Sequence, residues 1–310
     1  MTYKRLSRTL FVAAMLLLAG CEKPNAVELV SADRQLGDLE VIHDVSPAFP
    51  VLDLELDALP TSVRSTEILP ITEQQGGGQL IIVGVQYDDS SGHRETSIAR
   101  AIFIDGSTPV VVNGDTAGYR AFDAGDVRLN DLLLYREAHL LRLGEGTSDT
   151  LAGVQYTLLS RDGVGFRGFV FDGDRLYRWR GFGSSEFPSF TLSIPSPTAI
   201  HVTSPAPTGV VSASQNLPVY WQGGGTSINI YISAYKEGQR PKVIFQMRSR
   251  SNRGGAIIPA TVLELLPKDY SKFLFTFSSE SVSSTRISGY SEEILMQAVT
   301  SHTLLLRLER

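Results

Sequence analysis

Through most of this chain apolar residues recur at every second position, and that period leaves few folds open. Side chains alternate across a β-strand with period two, whereas one face of a helix needs a period near 3.6. Leu52, Leu54 and Leu56 alternate with Asp53, Glu55 and Asp57. Residues 80–87 and 96–104 flank Asp88-Asp89-Ser90-Ser91-Gly92, which reads as strand, turn, strand. Residues 109–112, 127–135, 139–143, 154–159, 166–171 and 175–179 continue the series, with a hairpin expected around Asp172-Gly173-Asp174. Further on, Ile228, Ile230 and Ile232 line one strand face, and Val243, Phe245 and Met247 another. Phe273, Phe275 and Phe277 follow, then Leu304, Leu306 and Leu308. Residues 259–266 are the one helical candidate, a short turn stopped by Pro267. The pattern predicts an all-β chain built from sandwiches.

At ~150 residues per domain, a chain of 310 residues suggests two domains. Pro195, Pro197, Pro205 and Pro207, with Ser and Thr between them, make residues 193–209 a stiff, extended connector. The expected organisation is a leader over 1–20, a tether over 21–50, and two β-sandwich domains in tandem over 51–197 and 198–310.

The single cysteine, Cys21, follows a basic segment with Lys4, Arg5 and Arg8 and an apolar run over 10–18. A basic start, a short apolar stretch and small residues before a cut site make a secretory signal. The run is about half the ~20 residues that a membrane-spanning helix needs. The ending Leu18-Ala19-Gly20-Cys21 resembles the lipobox of bacterial lipoproteins. That resemblance implies cleavage before Cys21, a diacylglycerol on its thiol and an acyl chain on its new amine. With ~0.8 kcal/mol per buried CH₂, such a lipid holds a protein at a bilayer permanently. By resemblance to enterobacterial lipoproteins, where Asp at this position favours inner-membrane retention, Glu22 implies the outer membrane. Cleavage removes three bases and no acid from a chain whose net charge is already −5. An acidic body is repelled by an anionic lipid surface, so the lipid on Cys21 is the expected contact with the membrane. The same charge argues against nucleic acid as a partner.

A wider resemblance covers residues 198–310. Thr203-Ser204-Pro205, Gly209, Leu217-Pro218-Val219-Tyr220-Trp221, Ile258-Pro259 and Leu263 are similar to a recurrent module of bacterial surface lipoproteins. The resemblance implies an immunoglobulin-like β-sandwich, with Trp221 inward on an early strand and no assigned activity. The preceding region, with Asp126-Val127-Arg128-Leu129-Asn130 and Phe171-Asp172-Gly173, more faintly resembles the companion domain of that module. A fold of this kind does not by itself specify a function.

Few residues of the chain point to chemistry. There is no Gly-x-Ser-x-Gly elbow, no phosphate-binding glycine loop and no histidine pair at zinc-ligand spacing. The five histidines, His43, His93, His139, His201 and His302, are scattered. No catalytic residue and no cofactor are expected. Asp53, Glu55 and Asp57 place three carboxylates on one strand face, the weak candidates for a hard cation such as Ca²⁺. Arg167, Arg178 and Arg180 share one face of the expected 172–174 hairpin, where guanidinium groups suit an anionic or carbohydrate partner. Tyr231 and Tyr235 fall opposite the Ile228–Ile232 face and are expected to be exposed, as interface anchors are. The serine-rich stretch 278–290 reads as a long loop. The chain is therefore expected to be a lipid-anchored, non-catalytic binding, adhesion or assembly module of the outer membrane, with a protein or glycan partner. The alternatives are a cell-envelope hydrolase acting on glycan or peptide, and a structural subunit of an outer-membrane complex.

Overall fold

The computed structural model describes residues 39–42, 77–90, 92–112, 114–141, 150–161, 169–236, 241–250 and 252–310. Cys21 with its leader, the acidic stripe Asp53, Glu55 and Asp57, and Arg167 lie outside the described residues. Ten strands precede the proline-marked seam: β1 (Leu39–Ile42), β2 (Gly77–Asp89), β3 (Gly92–Val112), β4 (Asp115–Ala121), β5 (Val127–Leu129), β6 (Leu132–Leu133), β7 (Tyr135–Leu141), β8 (Thr150–Arg161), β9 (Leu176–Gly181) and β10 (Phe190–Pro195). After it come β11 (Thr198–Ser204), β12 (Val210–Ser212), β13 (Leu217–Gly224), β14 (Ile228–Tyr235), β15 (Lys242–Ser249), β16 (Gly255–Ile258), α1 (Ala260–Glu264), β17 (Lys272–Thr285) and β18 (Ile294–Glu309). The fold is all-β, as the alternation predicts, and α1 falls within the one segment read as helical.

Among the described residues the strands form three sheets. Eleven belong to one large sheet with the order β1-β15-β14-β17-β18-β2-β3-β4-β8-β7, in which β3 also pairs β8, and β12 lies parallel beside β18. A four-stranded sheet, β10-β9-β5-β6, and a three-stranded sheet, β11-β13-β16, complete the set. Each small sheet shares an apolar core with part of the large one. Val127, Leu129, Tyr177, Trp179, Phe190 and Ile194 from the four-stranded sheet meet Leu80, Ile82, Phe103, Tyr156 and Leu158. Ile200, Val202, Val219, Trp221 and Ile258 from the three-stranded sheet meet Ile230, Phe245, Phe273, Phe275 and Phe277. Burying one such side chain stabilises the fold by roughly 1.5–3 kcal/mol.

The large sheet runs without a break across the seam expected near residue 197, because β18 belongs to both cores. At ~3.3 Å per residue this strand of 16 residues is roughly 50 Å long. Ile294, Met296 and Ala298 face the first core, and Leu304, Leu306 and Leu308 face the second. Its parallel partner is β2, from Ile294 against Gly78 to Leu304 against Asp88. On β2, Leu80-Ile81-Ile82-Val83 is buried on both faces, the sequence habit of a strand covered on two sides.

Four expectations are corrected. Residues 169–171 form no strand, so there is no hairpin at 172–174; β9 pairs β10 and β5 instead. Here the Tyr177 hydroxyl replaces ladder bonds, accepting from the Asp172 N–H at 2.7 Å and donating to its carbonyl at 3.1 Å. Phe169 joins Tyr177 in the core and Val170 is turned to solvent. Residues 39–42, read as tether, are the edge strand β1, antiparallel to β15. Residues 278–285, read as loop, extend β17 against 294–301 of β18, because serine on a half-covered strand leaves no apolar alternation to read. Tyr231, expected to be exposed, is 5 % exposed, since β14 is an interior strand between β15 and β17 and is buried on both faces.

Candidate functional site

Where β18 passes from one core to the other, the inner face of the large sheet turns polar. Thr300 and His302 stand between Ala298 and Leu304, and beside them come Gly84, Gln86 and Asp88 of β2, then His93, Glu95 and Ser97 of β3. Chain crossing over this belt must find acceptors for its backbone N–H groups. The N–H groups of Ile200 and Val202 in β11 donate to Thr300 Oγ1 at 3.1 Å and His302 Nδ1 at 2.7 Å. The Phe171 N–H donates to Ser97 Oγ at 2.9 Å. Gly84 makes the crossing possible, since a Cβ there would lie 2.4 Å from the Phe171 ring.

Three of the scattered histidines meet at this belt. Asp88 lies between two of them, its Oδ1 at 2.7 Å from His93 Nδ1 and its Oδ2 at 2.7 Å from His302 Nε2. His93 Nε2 reaches Glu95 Oε1 at 3.1 Å. His201 stacks on His302 with ring centroids 5.0 Å apart. Because the Val202 N–H points at Nδ1, the His302 proton is on Nε2 and is donated to Asp88. Burial lowers the His302 pKa, and the bond and charge of Asp88 only partly offset that, so the fully buried ring is neutral. Burial acts on His93 the same way, but its bonds to Glu95 and Asp88 prevail and raise it. Burial pushes Asp88 up, yet the hydrogen bonds from His93 and His302 hold it below the ordinary carboxylate value.

Asp88, His93 and His302 bring three potential ligand atoms within 4.8 Å of one another. Two imidazoles and a carboxylate suit a transition-metal ion. To ligate through Nε2, however, His302 would have to move its proton to Nδ1, where it would confront the Val202 N–H. As arranged, the trio is a hydrogen-bond network tying β2, β3, β11 and β18 together. A fourth histidine, His139, is fully buried at an irregularity in β7. Burial and the nearby Arg100 charge push it down to about 4, with Gln155 opposing.

The second cluster lies on the outer face of the four-stranded sheet. Arg178 and Arg180 alternate on β9 with buried Tyr177 and Trp179 and point to solvent. Arg128 of β5 is the direct cross-strand neighbour of Arg180, and such neighbours have Cβ atoms about 4.5–5.5 Å apart. The guanidinium carbons of Arg180 and Arg128 lie 4.6 and 5.3 Å from the centre of the half-exposed Phe182 ring. Among the described residues no carboxylate lies within 4 Å of any of these three guanidinium groups. Thr191 pairs Arg180 and Ser193 pairs Arg178, adding two hydroxyls to the face.

The structure thus keeps Arg178 and Arg180 together on one surface and adds Arg128, which the sequence reading missed. Tyr231 and Tyr235 belong to β14, in the other half, and Tyr231 accepts a hydrogen bond from Gln246 at 3.3 Å. The histidine cluster was also missed. Half of it was legible, because a turn at 88–92 sets Asp88 opposite His93. His302 gave no signal, since its approach depends on the parallel pairing of β18 with β2.

No protein-family model matches the chain, and no curated protein does. Among solved structures the chain is similar to the mu-homology domain of yeast delta-COP-I complexed with a Dsl1 WxWxV peptide. The identity is 8 %, the match covers 75 % of this chain and 98 % of that one, and the TM-score is 0.24.

Proposed function

We propose that this chain is a lipid-anchored, non-catalytic binding or assembly module of the bacterial outer membrane, working through the arginine face of its four-stranded sheet. The observation that carries the reading is the pair Arg128–Arg180. Like charges directly opposite one another on a sheet are destabilising, and a chain with 33 acidic and 28 basic residues has ample carboxylates to neutralise them. A local cost kept without a partner among the described residues marks a surface that something else completes. The interior histidines support a non-catalytic reading, because both ring nitrogens of His302 are engaged inside the fold. The lipobox-like Leu18-Ala19-Gly20-Cys21 supports the anchor. The strand orders β11-β13-β16 and β15-β14-β17-β18, with β12 parallel to β18, support an immunoglobulin-like C-terminal half.

Two measurements test the proposal. Cys21→Ser is expected to move the protein from the membrane to the soluble fraction, and retention in the membrane overturns the anchor. The released protein, added back to envelopes from cells lacking it, is expected to rebind in low salt. Arg178→Gln/Arg180→Gln should abolish that rebinding, and equal rebinding by both forms removes the arginine face from the function.

A further inference from the structure

We infer that the partner of the arginine face is an acidic polysaccharide, an inference that rests on the binding-module reading above. The surface is the face of a sheet, not its edge, so its backbone N–H and C=O groups are largely spent in the ladder. An extended peptide that adds a strand needs such groups free; here only side chains are on offer. What they present is three guanidinium groups, the hydroxyls of Thr191 and Ser193, and the ring of Phe182. Guanidinium forks bind carboxylate or phosphate oxygens in bidentate fashion, hydroxyls answer sugar hydroxyls, and the exposed part of an aromatic ring suits the apolar face of a pyranose.

Spacing agrees with a repeating ligand. Arg128 and Arg180 are cross-strand neighbours, and Arg178 follows Arg180 at the same-face interval of a strand, about 6–7 Å. Both intervals are about the length of a sugar residue, so successive acidic units of one glycan can meet successive guanidinium groups. Stacking on Phe182 holds two of these groups in place before the ligand arrives, which lowers the ordering cost of binding. Asp126, two residues before Arg128, is exposed, and Glu186 is taken up by Arg120 at 2.6 Å. Exposed Leu133 and Leu176 flank the patch. Few apolar residues occupy its centre, where a protein interface would carry its buried anchors.

Affinity electrophoresis of the full chain in detergent tests this, with gels containing polygalacturonate, a phosphomannan, neutral dextran or polyglutamate. Retardation is expected with polygalacturonate, the phosphomannan or both, weakening as salt is raised, and the two acidic glycans separate carboxylate from phosphate recognition. Dextran should not retard the protein. Arg128→Gln/Arg178→Gln/Arg180→Gln should weaken retardation about tenfold or more. The single Arg178→Gln variant, at an exposed position, serves should the triple variant misfold. Arg175→Gln, whose side chain is paired with Asp172 at 3.5 Å, should change nothing. No retardation by either acidic glycan, or equal retardation of wild type and triple variant, overturns the inference. Equal retardation by polyglutamate assigns the face to an acidic protein and overturns the glycan. Any of these failures leaves the fractionation and rebinding results for the envelope module standing.

Discussion

The polar seam beneath β11 and the outer face of the four-stranded sheet use charge in opposite ways. At the seam the charged group Asp88 is held between two imidazoles, and the backbone of a neighbouring layer fixes the tautomer of one of them. On the outer face Arg128, Arg178 and Arg180 gather with no carboxylate of the described residues within 4 Å. Burial explains the difference. An unpaired polar group under the second layer costs about 1–3 kcal/mol, so the pairing of Asp88 with both imidazoles stabilises the fold. An exposed guanidinium keeps its water, so it can remain uncommitted at small cost. Groups consumed inside hold the structure together, and groups left open outside are available to a partner.

Removing Asp88 gives the largest expected effect at neutral pH. Asp88→Ala leaves the His302 Nε2–H buried with no acceptor and should lower unfolding stability in urea by about 2–3 kcal/mol. Asp88→Asn keeps one acceptor oxygen and should lose less. If Asp88→Ala costs under about 0.5 kcal/mol, the network is not what ties the layers together.

A second effect follows from the interior histidines. His139 sits near 4 in the folded protein against 6.5 ordinarily, so its neutral form stabilises the fold above about pH 6.5. That contribution is lost as pH falls through 4, and a shift of this size corresponds to about 3 kcal/mol. The lowered His302 acts in the same direction. The raised His93 acts in the opposite one: its contribution is present below 6.5 and fades as pH rises through its folded value. Urea midpoints measured from pH 7 to pH 4 should fall, and His139→Leu should flatten most of that slope. An unchanged slope in His139→Leu assigns the acid sensitivity elsewhere, with His302 the next candidate, since its lowered pKa acts in the same direction over this range.

Much of the β architecture was legible in the sequence because covered strands carry their burial pattern locally. The alternation Phe273, Phe275, Phe277 and the run Leu304, Leu306, Leu308 lie where the second core needs them. What escaped was long-range pairing. Nothing in residues 294–303 announces that they pair residues 78–87 in parallel, so the shared sheet and the approach of His302 to Asp88 were invisible. Tyr231 misled because alternation marks only strands with one covered face, and β14 has two. Arg178 and Arg180 were found because an arginine alternating with buried aromatics must face outward. Arg128 was missed because its pairing with β9 depends on the same kind of remote register.

The smallest expected effect sharpens the contrast most. If the outer face is held open for a partner, Arg128→Gln/Arg178→Gln/Arg180→Gln should leave unfolding stability unchanged or raise it by a few tenths of a kcal/mol. Removing like charges from directly opposed positions relieves a repulsion of about that size. The loss of Phe182 stacking works the other way, and at an exposed site it costs about 0.5–1 kcal/mol at most. A destabilisation as large as that of Asp88→Ala would mean that the arginines serve the fold as the seam does, and the division between consumed and available charge would fail. A neutral result combined with lost binding is the outcome a purely structural role cannot produce.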